Sequence, residues 1–276
     1  MNGGAGRRPA GANKKGSIGI TCGAPACPVC ENKKWSKIYR INAWDIEECH
    51  ACGFAKINPP PSRGSRQECY SKEEVIIRNA PKKSFSRNFS RTMKQFFSKI
   101  TKRNKSEIFY NKLRKHLPPG AKILDIGCGG GSFLRLAKNR FNCAGVEISE
   151  YLVSLAGGIE GADIKWGNFL DVDFKGETYD GITLISLLEH LDDPLCALRK
   201  CFNLLKKDGI LLLKTVNYEC LNRKIKKSRW TGFRPPDHVV YFTPRNLSQI
   251  LKKAGFSKIK VKAWPFNDNM YCDAFK

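Results

Sequence analysis

From residue 106 onward the apolar positions switch repeatedly between helical spacing and unbroken runs. Ser106 to Leu117 carries Ile108, Leu113 and Leu117 on one stripe, with Ser106 placed to cap it and Pro118, Pro119 and Gly120 placed to end it, which predicts a helix. Lys122 to Ile126 follows as an apolar strand, Ser132 to Asn139 as a helix, Phe141 to Glu147 as a strand, and Ser149 opens another short helix. A third apolar strand spans Asp180 to Leu187. The next helix is capped by Asp193, begins at Pro194 and closes at Lys207, Asp208 and Gly209. Ile210 to Val216 reads as a buried strand, Pro244 to Ala254 as a helix closed by Gly255, and Lys258 to Trp264 as a late alternating strand. Strands and helices in alternation, with the strands apolar on both faces, predict a doubly wound, mainly parallel α/β sheet covered on both sides.

Before residue 106 the pattern differs. Residues 1–20 are rich in Gly, Ala and Lys without periodicity and read as a disordered tail. Residues 21–61 hold short strand-like pieces between two cysteine pairs, and residues 62–105 are polar and basic, suiting a linker or a partly helical bridge to a domain at 106–276. A length of 276 residues with 41% hydrophobic positions accommodates one catalytic domain and a smaller module. No run approaches the roughly 20 apolar residues of a membrane span, and the glycine-rich, basic start does not read as a signal peptide. The expected compartment is the cytoplasm; the oligomeric state is left open.

The net charge of +24 is concentrated: residues 81–116 carry 12 basic and 1 acidic groups. Such a stretch attracts polyanions, so nucleic acid enters as a partner, with a solvated linker as the plainer reading.

Four of the twelve cysteines form Cys27-Pro28-Val29-Cys30 and Cys49-His50-Ala51-Cys52-Gly53, two C-x-x-C knuckles eighteen residues apart. Two thiolates from each knuckle compose a closed, structural four-sulfur Zn²⁺ site of the ribbon type; a redox C-x-x-C is the competing reading. Gly53 supplies the flexible turn after the second pair, and Glu31 departs from that pattern after the first. The remaining cysteines are scattered, several of them among apolar neighbours as small hydrophobes.

The most informative stretch is Ile123-Leu124-Asp125-Ile126-Gly127-Cys128-Gly129-Gly130-Gly131-Ser132, an apolar strand running through a glycine loop into a helix. A dinucleotide loop would place its last glycine at Ser132, whereas here glycines recur at 127, 129 and 131. With Asp125 ahead of them, the segment resembles the first motif of the class I S-adenosylmethionine-dependent methyltransferases. Glu147, twenty residues after Gly127, stands where that family's acid holds both ribose hydroxyls. Gly167-Asn168-Phe169 matches the place where adenine is read, Tyr179-Asp180 opens the fourth segment, and Leu204 to Leu213 resembles the next. The resemblance runs from about Ser106 to the C-terminus. It implies a Rossmann-like seven-stranded sheet and a cofactor set of Asp125, Gly127, Cys128, Gly129, Gly131, Glu147, Ile148, Asn168, Phe169 and Leu187.

Methyl transfer from a sulfonium needs orientation and exclusion of water, and a base only where the acceptor must lose a proton. His190, in Leu188-Glu189-His190-Leu191, follows the strand facing the methyl group and suits either that base or a role in shaping the pocket. His238 is a second candidate, with a turn histidine as its plainer reading. Between Val216 and Thr243 a long excursion carries Arg223, Lys224, Lys226, Lys227, Arg229 and Arg234 with Trp230 and Phe233, which suits an anionic acceptor with a ring or sugar, or else a solvated face. Ribbon plus class I domain resembles bacterial small-molecule methyltransferases of sugar, polysaccharide and quinone pathways, and also zinc-containing ribosomal RNA guanine methyltransferases. The second zinc half here, Cys49-His50-Ala51-Cys52-Gly53-Phe54, favours the first group. The expected acceptor is thus a small anionic or sugar-like metabolite, with an RNA methyltransferase as the alternative.

Overall fold

A computed structural model of the chain describes residues 26–62, 69, 71 and 105–276. The expectations for the tail, for nearly all of the linker and for residues 81–104 of the basic stretch lie outside the described residues.

The sheet has seven strands: β4 (Lys122–Ile126), β5 (Asn142–Glu147), β6 (Ala162–Trp166), β7 (Tyr179–Ile185), β8 (Leu205–Val216), β10 (Ser257–Ala263) and β11 (Asn269–Phe275), in the spatial order β10-β11-β8-β7-β4-β5-β6. From β6 to β8 neighbours run parallel, and only β11 runs antiparallel to both of its partners. The chain proceeds outward from β4 through β5 to β6, then crosses to β7 on the other side. That reversal opens a crevice at the carboxyl ends of β4, β5 and β7.

Helices cover both faces. On one, α1 (Lys105–His116) and α2 (Ser132–Ala137) bury Phe109, Leu113, Phe133 and Leu134; α3 (Glu150–Ala156) adds Ala156. On the other, α4 (Pro194–Leu204) and α6 (Pro244–Lys253) bury Leu198, Cys201, Leu247 and Leu251. Asp193 caps α4 by accepting from Cys196 N at 2.9 Å, as expected, and Thr243 does the same for α6 from Asn246 N at 3.2 Å. Between β8 and α6 lies α5 (Leu221–Lys226).

Three expectations are corrected. The described part of helix α1 already includes Lys105, so Ser106 lies buried within the helix rather than capping it. Helix α4 stops at Leu204: Leu205 already pairs with Tyr179, and the chain bulges through Lys206 to Gly209 before Ile210 pairs with Gly181. Asp208, with φ of 61°, makes that bulge look like a helix stop in sequence. Strands β6 and β11 went unread, β6 because it is a half-exposed edge bearing Asp163 and Lys165 instead of an apolar run.

The cysteine module is three antiparallel strands, β1 (Trp35–Ile41), β2 (Trp44–Cys49) and β3 (Ala55–Asn58). A fourth, β9 (Val240–Tyr241), comes from the long excursion and pairs with β3. Phe54 packs on Phe242 at 5.0 Å between ring centroids, Tyr218 Oη donates to Glu48 at 3.0 Å, and Lys253 Nζ donates to Glu31 at 2.8 Å. The module and one face of the α/β sheet therefore share a continuous apolar core.

Candidate active site

β4 ends at Ile126 and turns through Gly127, Gly129 and Gly131, at φ of 71°, 55° and 79°. The positive φ favours glycine at each; a Cβ would in addition lie 2.2 Å from Ile159 Cδ1 at Gly131 and 3.0 Å from Leu187 Cδ1 at Gly127, so those side chains would have to move aside. The amides of Gly127 and Cys128 both donate to Val146 O, at 2.8 and 3.1 Å, which fastens the loop to β5. Glu147 closes β5, buried, with Oε2 accepting from Gly129 N and Oε1 from Ser149 N, each at 2.9 Å. Each oxygen thus keeps acceptor capacity while the carboxylate is fixed against the loop.

Asp125 lies deeper than its neighbours in the motif. It is buried and accepts from Thr183 Oγ1 at 2.6 Å, and burial pushes it up to about 7, with the charge of Glu147 adding to the rise and the Thr183 bond opposing it. Cys128 is buried behind the loop, its thiol pushed up chiefly by burial. Ile148 is 43% exposed beside Trp166, 62% exposed, whose Nε1 donates to Ile148 O at 3.1 Å. Asn168 is exposed, donating to Asp171 and accepting from Leu170 N. Phe169 stands apart from this group: its ring is buried against Phe174, under Lys200, whose ammonium donates to the carbonyls of Phe169, Leu170 and Val172. Leu187 is half-buried against Gly127.

The two histidines meet. After β7 a short 3₁₀ turn, Leu188–His190, brings the His190 ring edge-on to His238 at 4.8 Å between centroids. His190 Nδ1 donates to Asp237 O at 2.8 Å and lies 3.0 Å from Asp237 Oδ1, leaving Nε2 as its proton-accepting nitrogen. Burial opposes protonation of His190, but Asp237 and the charge of Glu189 outweigh it and raise its pKa above the ordinary imidazole value. At His238 the Arg234 guanidinium donates to Nε2, so Nδ1 carries the hydrogen and donates to Gly232 O at 2.7 Å. Burial first, then the neighbouring His190 charge, pushes His238 down to about 4. Both of its nitrogens are engaged within the protein. Glu189 completes the cluster, buried and accepting from Thr215 Oγ1 at 2.7 Å. Glu189 and the two histidines are close enough for one cation, yet the guanidinium occupies the lone pair that a metal would need from His238.

The aromatic residues of the excursion do not face an acceptor. Trp230 and Phe233 are buried with Tyr218 and Tyr241, and Trp230 Nε1 donates to Asp268 at 2.9 Å. Phe233 packs between Tyr241 of β9 and Tyr39 of β1, so these rings join the excursion to the ribbon. Its cations Lys224, Lys226, Lys227 and Arg229 are exposed. Sequence reasoning missed Asp237, Ser186 and Lys214; the last was visible as a lone charge within Ile210-Leu211-Leu212-Leu213-Lys214-Thr215-Val216.

The four cysteines of the two knuckles come together. Their sulfurs all lie within 4.8 Å of one another, with Cys27–Cys52 at 3.6 Å and Cys30–Cys49 at 3.5 Å. Sulfurs around one tetrahedral zinc at about 2.3 Å stand roughly 3.8 Å apart, so the set fits the ion, whereas a disulfide needs about 2.05 Å. The knuckles are built alike: Glu31 N donates to Cys27 O and Gly53 N to Cys49 O, with φ of 63° and 72°. Glu31 therefore adopts the left-handed turn without being glycine. Burial pushes the Cys27 thiol up to about 11, which a bound cation would reverse. His50 turns away to Ser36, at 2.5 Å.

Strand order and a glycine loop facing a strand-end acid define the class I S-adenosylmethionine-dependent methyltransferase fold. Solved structures agree on the fold: magnesium protoporphyrin IX methyltransferase of Synechocystis, with bound S-adenosylhomocysteine, superposes at a TM-score of 0.56 with 16% identity, covering 77% of this chain and 98% of that one. A protein of Nostoc punctiforme described as a putative O-methyltransferase superposes at 0.51 with 20% identity, covering 63% and 56%. A family model described as a methyltransferase domain matches residues 89–261, and the chain belongs to that family. Among curated relatives, the ubiquinone biosynthesis O-methyltransferase of Dinoroseobacter shibae is 28% identical over 180 residues, 54% of this chain and 64% of that protein. The enzyme of the same description from Actinobacillus pleuropneumoniae is 34% identical over 109 residues, 36% and 47% of the two chains. The chain thus spans less than two thirds of the length of these relatives.

Proposed function

We propose that the protein transfers a methyl group from S-adenosylmethionine to a small, anionic or sugar-like acceptor. The observation that carries this reading is Glu147, whose two oxygens are each fixed by a backbone amide beside the loop and keep acceptor capacity for two vicinal hydroxyls. In this reading Gly127, Gly129 and Gly131 let bare backbone approach the cofactor, and Cys128 backs the loop. Ile148, with Trp166, flanks the adenine, Asn168 reads its edge, and Leu187 closes the reacting side. Asp125 holds the end of β4 through Thr183. The relatives described as O-methyltransferases support oxygen as the accepting atom.

S-adenosylmethionine supplies an electrophilic methyl carbon. The chain orients it, excludes water at a carboxyl edge backed by apolar strands, and offers His190 Nε2 for the acceptor's proton. Cys27, Cys30, Cys49 and Cys52 would hold one structural Zn²⁺ that stabilises the ribbon, and through β9 the excursion over the site. Residues 26–61 and 105–276 act in this view as a zinc ribbon and a catalytic domain. No helix among the described residues is long and apolar enough to cross a membrane. Calorimetry with S-adenosylmethionine tests the central assignment: Glu147→Ala removes two acceptors to hydroxyls and should weaken binding by about 100-fold, charge-assisted bonds contributing roughly 1.5 kcal/mol or more each. Unchanged affinity would exclude this cofactor site.

A further inference from the structure

Lys214 is out of character for its strand. It follows Ile210, Leu211, Leu212 and Leu213 near the carboxyl end of β8, is 3% exposed, and points to the α1 face with Ile210 and Leu212. Its ammonium donates to Ser186 Oγ at 2.5 Å, and in return Ser186 N donates to Lys214 O at 2.9 Å. That hydroxyl is its one hydrogen-bond partner, and it has no ion pair within 4.0 Å, among the described residues. A buried ammonium ordinarily requires a paired anion.

The charges around it act in opposite directions. Glu189, which accepts from Thr215 on the other face of β8, favours its protonation, while Lys105 of α1 and Arg234 of the excursion disfavour it. Burial, the largest influence, pushes Lys214 down to about 8. Ser186 is also held in a left-handed conformation, φ 60°, in the turn between β7 and Leu187. Non-glycine residues are uncommon in that region and cluster at functional sites. The next residue, Leu187, is the one that touches Gly127 of the glycine loop. A hydroxyl-ammonium pair thus stands one residue from the contact between the β7 turn and the glycine loop.

Resting on the proposed methyl transfer, we propose that Lys214 with Ser186 forms the subsite of the methyl-accepting oxygen, and that the acceptor group is a weakly acidic hydroxyl bound as its oxyanion. A carboxylate is already ionised and needs no such help, and an aliphatic alcohol is too weak an acid for one ammonium to ionise near neutrality. A phenolic or enolic hydroxyl lies between, which narrows the proposed acceptor to one bound as an anion and sets a sugar hydroxyl aside. On binding, its proton leaves to solvent by way of His190 or directly. The oxyanion's electron pair then forms the bond to the methyl carbon as the carbon–sulfur bond breaks toward sulfur, giving a neutral ether and S-adenosylhomocysteine. Product formation removes the anion from Lys214, which favours release.

4-Nitrophenol, whose phenol and phenolate forms absorb differently, tests this on the full chain saturated with S-adenosylhomocysteine at a pH below the probe's own midpoint. The phenolate band should grow on adding protein, with about a tenfold gain in the phenolate-to-phenol ratio of the bound probe, the effect of one adjacent opposite charge. Lys214→Met should abolish the gain while binding S-adenosylhomocysteine with unchanged affinity by calorimetry; Lys214→Gln, which keeps a donor to Ser186, serves should the first variant not fold. An equal gain in a variant that binds S-adenosylhomocysteine, or no gain in the parent, overturns the subsite. Failure of the parent to bind S-adenosylhomocysteine instead overturns the cofactor reading beneath it.

Discussion

The two sides of the carboxyl edge are built from different materials. On the β4–β5 side the structure is mostly backbone: three left-handed glycines, paired amides on Val146 O, and one carboxylate held by two N–H groups. On the β7–β8 side it is mostly side chains: Glu189, His190, Lys214, Arg234, Asp237 and His238, drawn from a strand, a 3₁₀ turn and a long excursion that is itself hydrogen-bonded to the ribbon. In the proposed reading, backbone geometry serves the methyl donor, whereas the cluster of charged side chains bears on the acceptor. The ribbon belongs to the second side, because β9 continues its sheet.

Removing the ligands of the proposed zinc should separate the sides most sharply. A Cys27→Ser/Cys49→Ser variant is expected to lose one zinc per chain by metal analysis, on the order of 10 kcal/mol of binding energy at a structural site. Amide exchange should then accelerate in β1 to β3 and in β9 but not in β4 or β5. A metal-free protein whose β3 and β9 stay protected would show that the ribbon needs no ion.

Acid should act on the two sides with opposite signs. His238 is depressed from 6.5 to about 4, so the stability of its neutral form is present above pH 6.5 and lost as pH falls through about 4, on the order of 3 kcal/mol. Asp125 is raised from 3.8 to about 7, so its contribution is full below pH 3.8 and lost as pH rises through about 7. Melting temperature against pH should therefore fall less steeply between 6.5 and 4 in His238→Asn than in the parent, and more steeply in Asp125→Asn. Parallel curves for all three proteins would refute both assignments.

The smallest test touches the seam. Tyr218→Phe deletes the hydroxyl that donates to Glu48 and should cost about 1 kcal/mol, seen as a slightly lower melting temperature. S-adenosylmethionine affinity should not change, since Glu147 lies on the other side; a parallel loss of affinity would mean that the sides are coupled.

What could be read from the chain follows the same division. The glycine loop, Glu147 and both knuckles are contiguous motifs, so spacing alone located them, and β4, β5, β7 and the core of β8 announced themselves as apolar runs. Edge strand β6 did not, because one side of it meets solvent, and the end of α4 was masked by a β-bulge that uses helix-stop residues. Trp230 and Phe233 looked like ligand-facing aromatics in a basic stretch, yet packing claimed both. Phe169, read in sequence as part of the adenine-binding segment, likewise has its ring in the core.

The sequence by itself determined the elements with local causes: the helix cap at Asp193, left-handed turns at the glycines, and two thiol pairs presented by two knuckles. Only the tertiary structure decided which distant groups became neighbours. That His238 surrenders its lone pair to Arg234, that His190 leans on Asp237, that β9 extends the ribbon, and that Lys214 is buried beside Ser186 all depend on contacts between elements far apart in the chain. Burial and partner charge, which set the chemistry of a titratable side chain, are properties of the packed interior and not of the residue's neighbours in sequence.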